Sequence, residues 1–218
     1  QAAKIMELAY GDPALLVNCQ GKGPVSAEWM TPKALWIKEH LEWDRIEHIC
    51  EYQDYINYKL TSVFCANACN AATRWHWDGN EAIRGYGRPL SLYRKIGIPE
   101  LTEKLPSLCL PMGAVVGLMT EQAASHLGLP RDLPVVQGGP DAFVGMVGLG
   151  CINVGQMCLI TGSSHLHCVV AETGRTAPGI WGAYCGAPLP QLYFAEGGQA
   201  STGSILRWAK TWLLGGEM

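Results

Sequence analysis

One acidic residue follows a glycine-rich run in the middle of the chain, where a carboxylate could act as a general base. Asp141 comes directly after Gly138-Gly139-Pro140, which itself follows an apolar strand predicted over residues 133–137. Side chains at the end of such a strand point into a crevice beside the sheet, and a carboxylate there can accept the proton of a substrate hydroxyl. The same residues also fit a plain turn in which Asp141 caps the following helix.

Two further glycine-containing turns could bring backbone N–H groups close to an anion. Gly162-Ser163-Ser164 lies between strands predicted over residues 156–161 and 165–170, and Gly197-Gly198 is predicted to follow a strand over residues 191–195. Glycine allows the close approach of backbone to a ligand that phosphate binding requires. Taken alone, a Gly-Ser-Ser turn is equally typical of a tight hairpin.

The nearby serine and histidine residues do not form a hydrolase site or a metal site. Ser164 and His165 are neighbours on one predicted strand and point to opposite faces, so they cannot form a local nucleophile–base pair. There is also no Gly-x-Ser-x-Gly elbow in the sequence. His165 and His167 share a strand face but have no evident third ligand, which favours a structural role for both.

Cysteine usage indicates a reducing compartment. The chain has nine cysteines, an odd number, and most of them lie within apolar runs, which is typical of buried thiols rather than of a disulfide framework. Cys65 and Cys69, with His76 beyond them, have no second Cys/His pair at zinc spacing. We therefore expect no protein-bound structural metal, and we interpret Cys65 and Cys69 as core residues one helical turn apart.

Helices and strands that must position these turns can be predicted along the chain. Thr31 and Pro32 fit the N-cap and the first position of a helix. In two helices the apolar residues recur at helical spacing and predict a face buried in the core. The predicted helices cover residues 1–8, 33–41, 51–60 (apolar face Tyr52, Tyr55, Ile56, Leu60), 119–127 and 204–214 (apolar face Ile205, Leu206, Trp208, Ala209, Trp212).

Charge and hydropathy exclude two classes of partner. The net charge is −3 and no basic tract occurs, so the electrostatic footprint of a nucleic-acid binder is absent. No apolar run is long enough to span a bilayer, and residues 1–8 are not a secretory start. Both ends of the sequence read as cut from a longer chain.

Several motifs occur in the order found in a known enzyme family. They are residues 32–36 and 54–61, the Gly138-Gly139-Pro140-Asp141 run with Gly148-Leu149-Gly150, Gly155-Gln156, the turn over 161–165, and residues 196–208. Together they resemble the core of the FGGY carbohydrate kinases, whose pattern is Gly-Gly-x-Asp, a Gly-x-Gly seven residues later, and then a strand followed by Gly-Thr-Ser. The resemblance extends from about residue 30 to the end.

The resemblance implies an α/β fold of the actin-like (ribonuclease H-like) type, with most of domain I and the start of domain II. Residues 1–150 would form the sugar-binding domain without its first strands, and 151–218 the beginning of the ATP-binding domain. Asp141 would be the general base. The turn Gly162-Ser163-Ser164, with Ser163 in place of the usual threonine, would face the phosphates of ATP with Mg²⁺. Gly138, Gly139, Gly197 and Gly198 would form cleft backbone.

The substrate implied is a small-molecule sugar. The Gly-Gly-Pro-Asp-Ala run and residues 51–55 and 73–76 resemble pentulose kinases, which ranks D-ribulose first and D-xylulose second. Trp29 and Trp75 are weaker candidates for lining the sugar cleft, because most of the tryptophans are expected in the core. The resemblance also implies an intracellular enzyme, cytoplasmic or in the plastid stroma, and leaves a homo-oligomer open.

The sequence departs from the family pattern in two places. It contains no Asp-x-Gly-Thr phosphate motif and no adenine-binding Gly-Gly segment. We therefore expect these 218 residues to be inactive by themselves. The alternative function is a catalytically inactive actin-like scaffold or interaction protein, against which Asp141 is the main argument, since a scaffold needs no acid after Gly-Gly-Pro.

Overall fold

A computed structural model describes residues 1–10, 12, 23–78, 87–175 and 177–216. Its helices are α1 (Ala2–Ala9), α2 (Met30–His40), α3 (Tyr52–Thr61), α4 (Ala68–Arg74), α5 (Leu90–Ile96), α6 (Leu101–Lys104), α7 (Glu121–Leu127), α8 (Asp141–Gly148) and α9 (Gly203–Leu213), with a 3-10 turn at Trp43–Arg45. Its strands are β1 (Cys65–Asn67), β2 (Leu108–Leu110), β3 (Val115–Leu118), β4 (Pro134–Val136), β5 (Met157–Thr161), β6 (His165–Ala171), β7 (Trp181–Cys185) and β8 (Tyr193–Gln199).

Three sheets organise the described residues. β1 pairs in parallel with β2, and β3 pairs antiparallel with β4. The third sheet is antiparallel, with the order β5-β6-β8-β7. The parallel pair needs a long crossover connection, which the helical segment between β1 and β2 provides.

Two main hydrophobic cores lie on either side of α4. The first core is formed mainly by helices and contains the buried side chains of Trp75, Trp77 and Tyr93. The second lies between the four-stranded sheet and α8, whose Phe143 and Met146 are spaced to share one helix face and are fully buried. Helix α4 contributes to both cores, because its alanines and Cys69 are small enough for close packing on two sides.

The helices and strands that the sequence predicts are present in the structure. Two details differ: the residue at which α2 begins, and the elements on which Cys65 and Cys69 lie. Helix α2 begins at Met30 with Trp29 as its N-cap, so the prediction of Thr31 as N-cap was wrong by two residues. Thr31 is fully buried and its hydroxyl contacts His76 instead. Cys65 and Cys69 are both buried as predicted, but they lie on β1 and α4 rather than on one helix.

The prediction for the buried face of α3 was wrong. Tyr52 is 78% exposed and Tyr55 47% exposed, whereas Asp54, Asn57 and Thr61 are the buried residues of this helix. The polar side chains point inward because they hydrogen-bond to β1 and to the end of β4. Helix α9 is also amphipathic as predicted, yet within the described chain none of its residues is buried.

The glycine pair near residue 197 does not form the predicted turn. Gly197 and Gly198 lie inside β8, which continues to Gln199 and pairs there with β6. Their partners are His167 and Leu166, in an unbroken antiparallel register. The sheet extends through the glycines because hydrogen bonding to β6 continues for the full length of both strands.

Candidate functional site

The segment before Asp141 is held by the side chain of Gln137, which is 2% exposed and follows β4. Its Oε1 accepts hydrogen bonds from Gln53 Nε2 at 3.0 Å and Asn57 Nδ2 at 2.6 Å. Its Nε2 donates to the Ala66 carbonyl at 3.2 Å. The residue therefore connects the end of β4 to both α3 and β1.

Asn67 holds the next residue of the same segment. This side chain is fully buried at the end of β1, and its Nδ2 donates to the Gly138 carbonyl. Its Oδ1 accepts the Asn70 amide at 2.9 Å and so caps the N-terminus of α4. One side chain thus links the glycine run before Asp141 to the helix that follows β1.

Close packing accounts for both glycines of this run. A Cβ built on Gly138 would lie 3.3 Å from Gln53 Nε2, and one on Gly139 would lie 2.5 Å from Met112 Sδ. A larger residue at either position would push a neighbouring side chain away. Both glycines therefore allow the segment to lie against α3 and against the residues after β2.

Asp141 is the first residue of α8, and its side chain is exposed. Its Oδ1 accepts the Ala142 amide at 2.8 Å. Phe143 and Met146 anchor the helix in the second core, so the carboxylate projects from a helix that is fixed by buried side chains. The arrangement suits a group that must meet a ligand from solvent.

The buried carboxyl of Asp54 hydrogen-bonds to backbone amides in this region. Asp54 is fully buried in α3, where Oδ1 accepts the Asn67 amide at 3.1 Å and Oδ2 the Glu51 amide at 3.2 Å. Burial, reinforced by the negative charge of Glu51, raises the pKa of Asp54 to about 7 although both backbone hydrogen bonds oppose the shift. The carboxyl fixes the position of Asn67 through the backbone.

The turn Gly162-Ser163-Ser164 connects β5 and β6 and is exposed. The Ser163 carbonyl accepts the Thr202 amide at 3.0 Å and the Ser204 amide at 3.3 Å. The turn therefore packs against the start of α9. Gly203 allows this approach, because a Cβ there would lie 2.4 Å from the Gly162 carbonyl oxygen.

A cavity of about 540 Å³ opens between α4 and the four-stranded sheet. Small-molecule sites commonly have volumes of about 300–1,000 Å³. Asp141 is not among the residues that form its wall, although Asn70 of the wall is the residue capped by Asn67. Its lining includes Trp29, Glu51, Asn70, Arg74, Trp181 and Glu196.

An ion pair crosses this cavity from α4 to β8. Arg74 Nη1 lies 2.9 Å from Glu196 Oε1, and the Tyr184 hydroxyl donates to the same oxygen at 2.8 Å. Burial is the largest single influence and lowers the pKa of Arg74, but the charge and hydrogen bond of Glu196, with smaller effects of Tyr184 and Cys69, together raise it by more, so the net direction is upward. Burial and then the Glu196 charge raise the pKa of Tyr184 well above its usual range. Arg74 is thus held as a cation.

Two polar atoms at the cavity have no hydrogen-bond partner among the described residues. Glu196 is 2% exposed, and its second oxygen, Oε2, is buried and unpaired. The indole Nε1 of Trp181 is the other. Unpaired buried polar atoms are uncommon in proteins. Here an acceptor and a donor belong to two residues of the cavity wall, although both atoms are themselves enclosed.

The predicted cleft residues Trp29 and Trp75 lie in different environments. Trp29 lines the cavity, with the Arg74 guanidinium 5.8 Å from its ring centroid. Trp75 is fully buried in the first core and reaches the cavity only by donating its indole N–H to Glu51 Oε1 at 2.8 Å. On β8, Gly198 leaves room for the Trp181 ring, since a Cβ there would lie 2.7 Å from it, whereas one on Gly197 would meet nothing within 4 Å.

Sequence reasoning missed Arg74 and Glu196 as members of the site. The two residues are 122 positions apart. Each lies in a segment that resembles the family, residues 73–76 and 196–208, but neither segment indicates that the two side chains meet. The one sequence feature that could have suggested them is a charged residue within an otherwise apolar helix and strand. Such a residue is almost never fully buried without a partner.

Within the described ranges, no cluster of three His, Cys, Asp or Glu side chains has metal-binding geometry. His76, near Cys65 and Cys69 in sequence, is buried with its pKa lowered to about 4 by burial, so it is a neutral imidazole. His165 and His167 lie on β6 as predicted. Across the same ranges, no helix has both the length and the apolar character needed to cross a membrane.

Comparison with known proteins places the chain in a family. The family model for the N-terminal domain of the FGGY carbohydrate kinases matches residues 23–148. The chain therefore belongs to the FGGY family of carbohydrate kinases. Its fold is the actin-like (ribonuclease H-like) α/β fold predicted from the motifs, with most of domain I and the start of domain II.

Individual relatives are named as carbohydrate kinases. The chain is 30% identical over 207 residues to the FGGY carbohydrate kinase domain-containing protein of Xenopus laevis, covering 84% of this chain and 36% of the relative. It is 29% identical over 188 residues to the ribulokinase of Bacillus licheniformis, covering 85% and 34%. The xylulose kinase from Rhodospirillum rubrum superposes with a TM-score of 0.71 at 26% identity, over 96% of this chain and 42% of that one. The chain thus spans about a third of the length of these curated relatives.

Proposed function

We propose that this chain is part of an ATP-dependent kinase that phosphorylates a hydroxyl of a pentulose, with D-ribulose ranked before D-xylulose. The observation that carries the proposal is the unpaired Oε2 of the buried Glu196, which lies at a cavity beside the Arg74 cation. The names of the ribulokinase and xylulose kinase relatives support the choice of a five-carbon sugar.

The cavity residues would bind and orient the sugar. Glu196 Oε2 and the Glu51 carboxylate can accept hydrogen bonds from sugar hydroxyls, and Trp181 Nε1 and Asn70 can donate them. The Trp29 indole offers an apolar surface against which a sugar ring or carbon chain can pack. Most residues of the cavity wall are polar or charged, which suits a ligand that carries several hydroxyl groups.

Asp141 would act as the general base. Its exposed carboxylate, at the start of a well-anchored helix, would take the proton of the attacking hydroxyl while the new oxygen–phosphorus bond forms. ATP with Mg²⁺ would supply the phosphoryl group. The exposed turn Gly162-Ser163-Ser164 fits a phosphate-binding role, because its backbone is accessible and β6 leads directly from it to Leu166 at the cavity wall.

The domain division and compartment form part of the same proposal. Residues 1–150 would be the sugar-binding domain and 151–218 the start of the ATP-binding domain, a boundary supported by the end of the family match at residue 148. A reducing compartment, cytoplasm or plastid stroma, agrees with the eight free cysteines of the described chain.

The test is the full-length protein in a coupled assay with ATP, Mg²⁺ and either D-ribulose or D-xylulose, with and without Asp141→Asn. We expect pentulose-dependent ADP formation, and a kcat that is about 10²–10⁴-fold lower in the variant with ATP binding retained. A folded Asp141→Asn protein with wild-type kcat would reject Asp141 as base. A wild-type protein that binds sugar and ATP without turnover would favour the scaffold alternative.

A further inference from the structure

The side chain of Asn67 joins two parts of the site that are far apart in the sequence. It lies at the start of α4, whose Asn70 and Arg74 face the cavity, and it contacts Gly138, three residues before Asp141. It is fully buried, so neither of its polar groups can exchange its partner for bulk water. The contact spans 71 residues of sequence.

The two ends of this amide have different partners and cannot be exchanged. Oδ1 faces the Asn70 N–H, which needs an acceptor, and Nδ2 faces the Gly138 carbonyl, which needs a donor. Asparagine is the smallest side chain that offers an acceptor and a donor on two separate atoms, so it can serve two partners on different sides. A helix cap alone would be served equally well by Asp or Ser, so the amide nitrogen serves the contact with Gly138.

The position of Asn67 is itself fixed by its backbone. Its N–H donates to Asp54 Oδ1 at 3.1 Å, and β1 pairs it with Leu110 of β2. On the other side of the glycine run, the Gln137 side chain holds the end of β4. The Gly138 carbonyl is therefore a fixed point from which the chain continues through Gly139 and Pro140 to Asp141.

We propose that Asn67 is a positioning residue, which acts through Gly138 to set the placement of Asp141 relative to the cavity helix α4. The inference rests on the proposed function, in which Asp141 is the base and the cavity holds the sugar. Catalysis by a general base depends steeply on the distance between the base and the proton it removes. A loosened Gly138 segment would lower turnover while leaving the proposed sugar contacts of Glu51 and Glu196 in place.

The experiment uses two variants of the full-length protein that keep an oxygen acceptor for the helix cap and remove the amide NH₂ group that donates to the Gly138 carbonyl. Asn67→Asp retains an acceptor for the Asn70 amide but places a carboxylate oxygen against the Gly138 carbonyl, and Asn67→Ser retains a hydroxyl cap without that repulsion. The matched control is Thr120→Ala, which removes the hydroxyl that caps α7 by accepting the Ala123 amide at 3.2 Å and is remote from the cavity wall.

Three measurements are made on each protein: kcat with D-ribulose, the sugar dissociation constant by calorimetry, and hydrogen–deuterium exchange of the peptide covering residues 137–142. We expect kcat to fall at least about tenfold in the Asn67 variants. Sugar affinity should stay within about threefold of wild type, with faster exchange in that peptide. The control should keep wild-type kcat. If Asn67→Asp fails to fold, Asn67→Ser supplies the result.

Other outcomes overturn the inference. Unchanged kcat in both Asn67 variants would overturn it. A parallel loss of sugar affinity and kcat, with unchanged exchange over residues 137–142, would also overturn it, because Asn67 would then act through the cavity. Failure of the proposed function is distinguished by Asp141→Asn in the same series. If that variant keeps wild-type kcat, Asp141 is not the base. Faster exchange in the Asn67 variants would then still support the inference that Asn67 restrains the Gly138 segment.

Discussion

At the scale of single residues, the carboxylate of Glu196 combines two tasks that are usually separate. One oxygen forms a buried ion pair with Arg74 and accepts the Tyr184 hydroxyl, while the other is unpaired at the cavity. A buried ion pair seldom adds much net stability, because desolvation offsets the attraction. Its use here is better understood as presenting a fixed, charged acceptor to a ligand.

Glu196→Gln is therefore expected to weaken sugar binding. A hydrogen bond to a charged group contributes about 1.5–3 kcal/mol, which corresponds to a rise in KM for the sugar of roughly tenfold or more. Tyr184→Phe is the matched control, since it removes a bond to Oε1 but leaves Oε2 in place. Steady-state kinetics give KM for the sugar in both variants. Equal KM values for the two would count against Glu196 as a sugar ligand.

A substitution at Gly162 can test whether the turn Gly162-Ser163-Ser164 binds the phosphates of ATP. Its backbone is not left-handed, and a Cβ there would make only an ordinary contact, 3.7 Å from the Ser164 carbonyl oxygen. Gly162→Val should therefore fold, yet its side chain would block close approach of an anion and lower ATP affinity about tenfold or more with unchanged sugar affinity. Calorimetry with each ligand, alongside Gly148→Ala as a control glycine with open space, would reject the role if ATP affinity stays the same.

At the scale of elements, α3 has its polar face buried and its tyrosines exposed. Asp54, Asn57 and Gln53 all hydrogen-bond to groups at the end of β1 or β4. A helix buried through polar contacts needs every partner in place, since an unsatisfied buried polar group costs about 1–3 kcal/mol. The same requirement fixes the mutual placement of α3, β1 and the segment before Asp141.

The raised pKa of Asp54 gives this region a specific pH dependence. Its pKa is about 7 in the folded protein, against an ordinary value of 3.8 for an aspartate carboxyl, so the folded form holds the proton more tightly than the unfolded chain does. The ionised carboxyl therefore opposes folding, and its unfavourable effect grows as pH rises from about 4 to 7 and then levels off.

Asp54→Asn isolates this effect. The free energy of unfolding of the variant minus that of wild type should become more positive from about pH 4 to pH 7 and stay constant above, whatever its starting value. Urea unfolding at several pH values measures the difference and cancels the contributions of all other carboxyls. A difference that is flat across this range would mean that Asp54 is not protonated preferentially in the folded state.

At the scale of the whole molecule, several large apolar side chains are exposed on the second part of the chain. Leu206 is 74% exposed and Trp212 is 73% exposed on α9, and Met157 of β5 is 64% exposed. Contiguous exposed apolar patches usually mark surfaces that are covered in the functional protein.

The isolated chain is expected to show no sugar kinase activity. Phosphoryl transfer depends on holding the phosphates and the acceptor hydroxyl in line. The 218 residues contain the turn proposed to bind phosphate, but neither the Asp-x-Gly-Thr motif nor the adenine segment of the family. A coupled assay of the purified chain with ATP, Mg²⁺ and D-ribulose tests this, after light scattering has established its association state. Robust turnover would show that those segments are dispensable.

The sequence by itself determined the family, five of the helices, four of the strands and the candidate base, but none of the elements between residues 62 and 118. Ordered glycine-containing motifs carry this information, because each glycine or aspartate marks a local backbone requirement that neighbouring residues cannot replace. Thus β5 and β6 flank Gly162-Ser163-Ser164, as predicted. A helix does follow the glycine run, but Pro140 rather than Asp141 is its N-cap. These features are local, and local sequence is sufficient to predict them.

Only the tertiary structure decided which side chains meet. Arg74 and Glu196, and likewise Asn67 and Gly138, are brought together by strand pairing and core packing over long sequence separations. The buried face of α3 was mispredicted for the same reason: hydrophobic periodicity assumes an apolar partner, whereas this helix packs against polar groups at strand ends. Burial depends on what lies opposite a residue, and no local pattern specifies that partner.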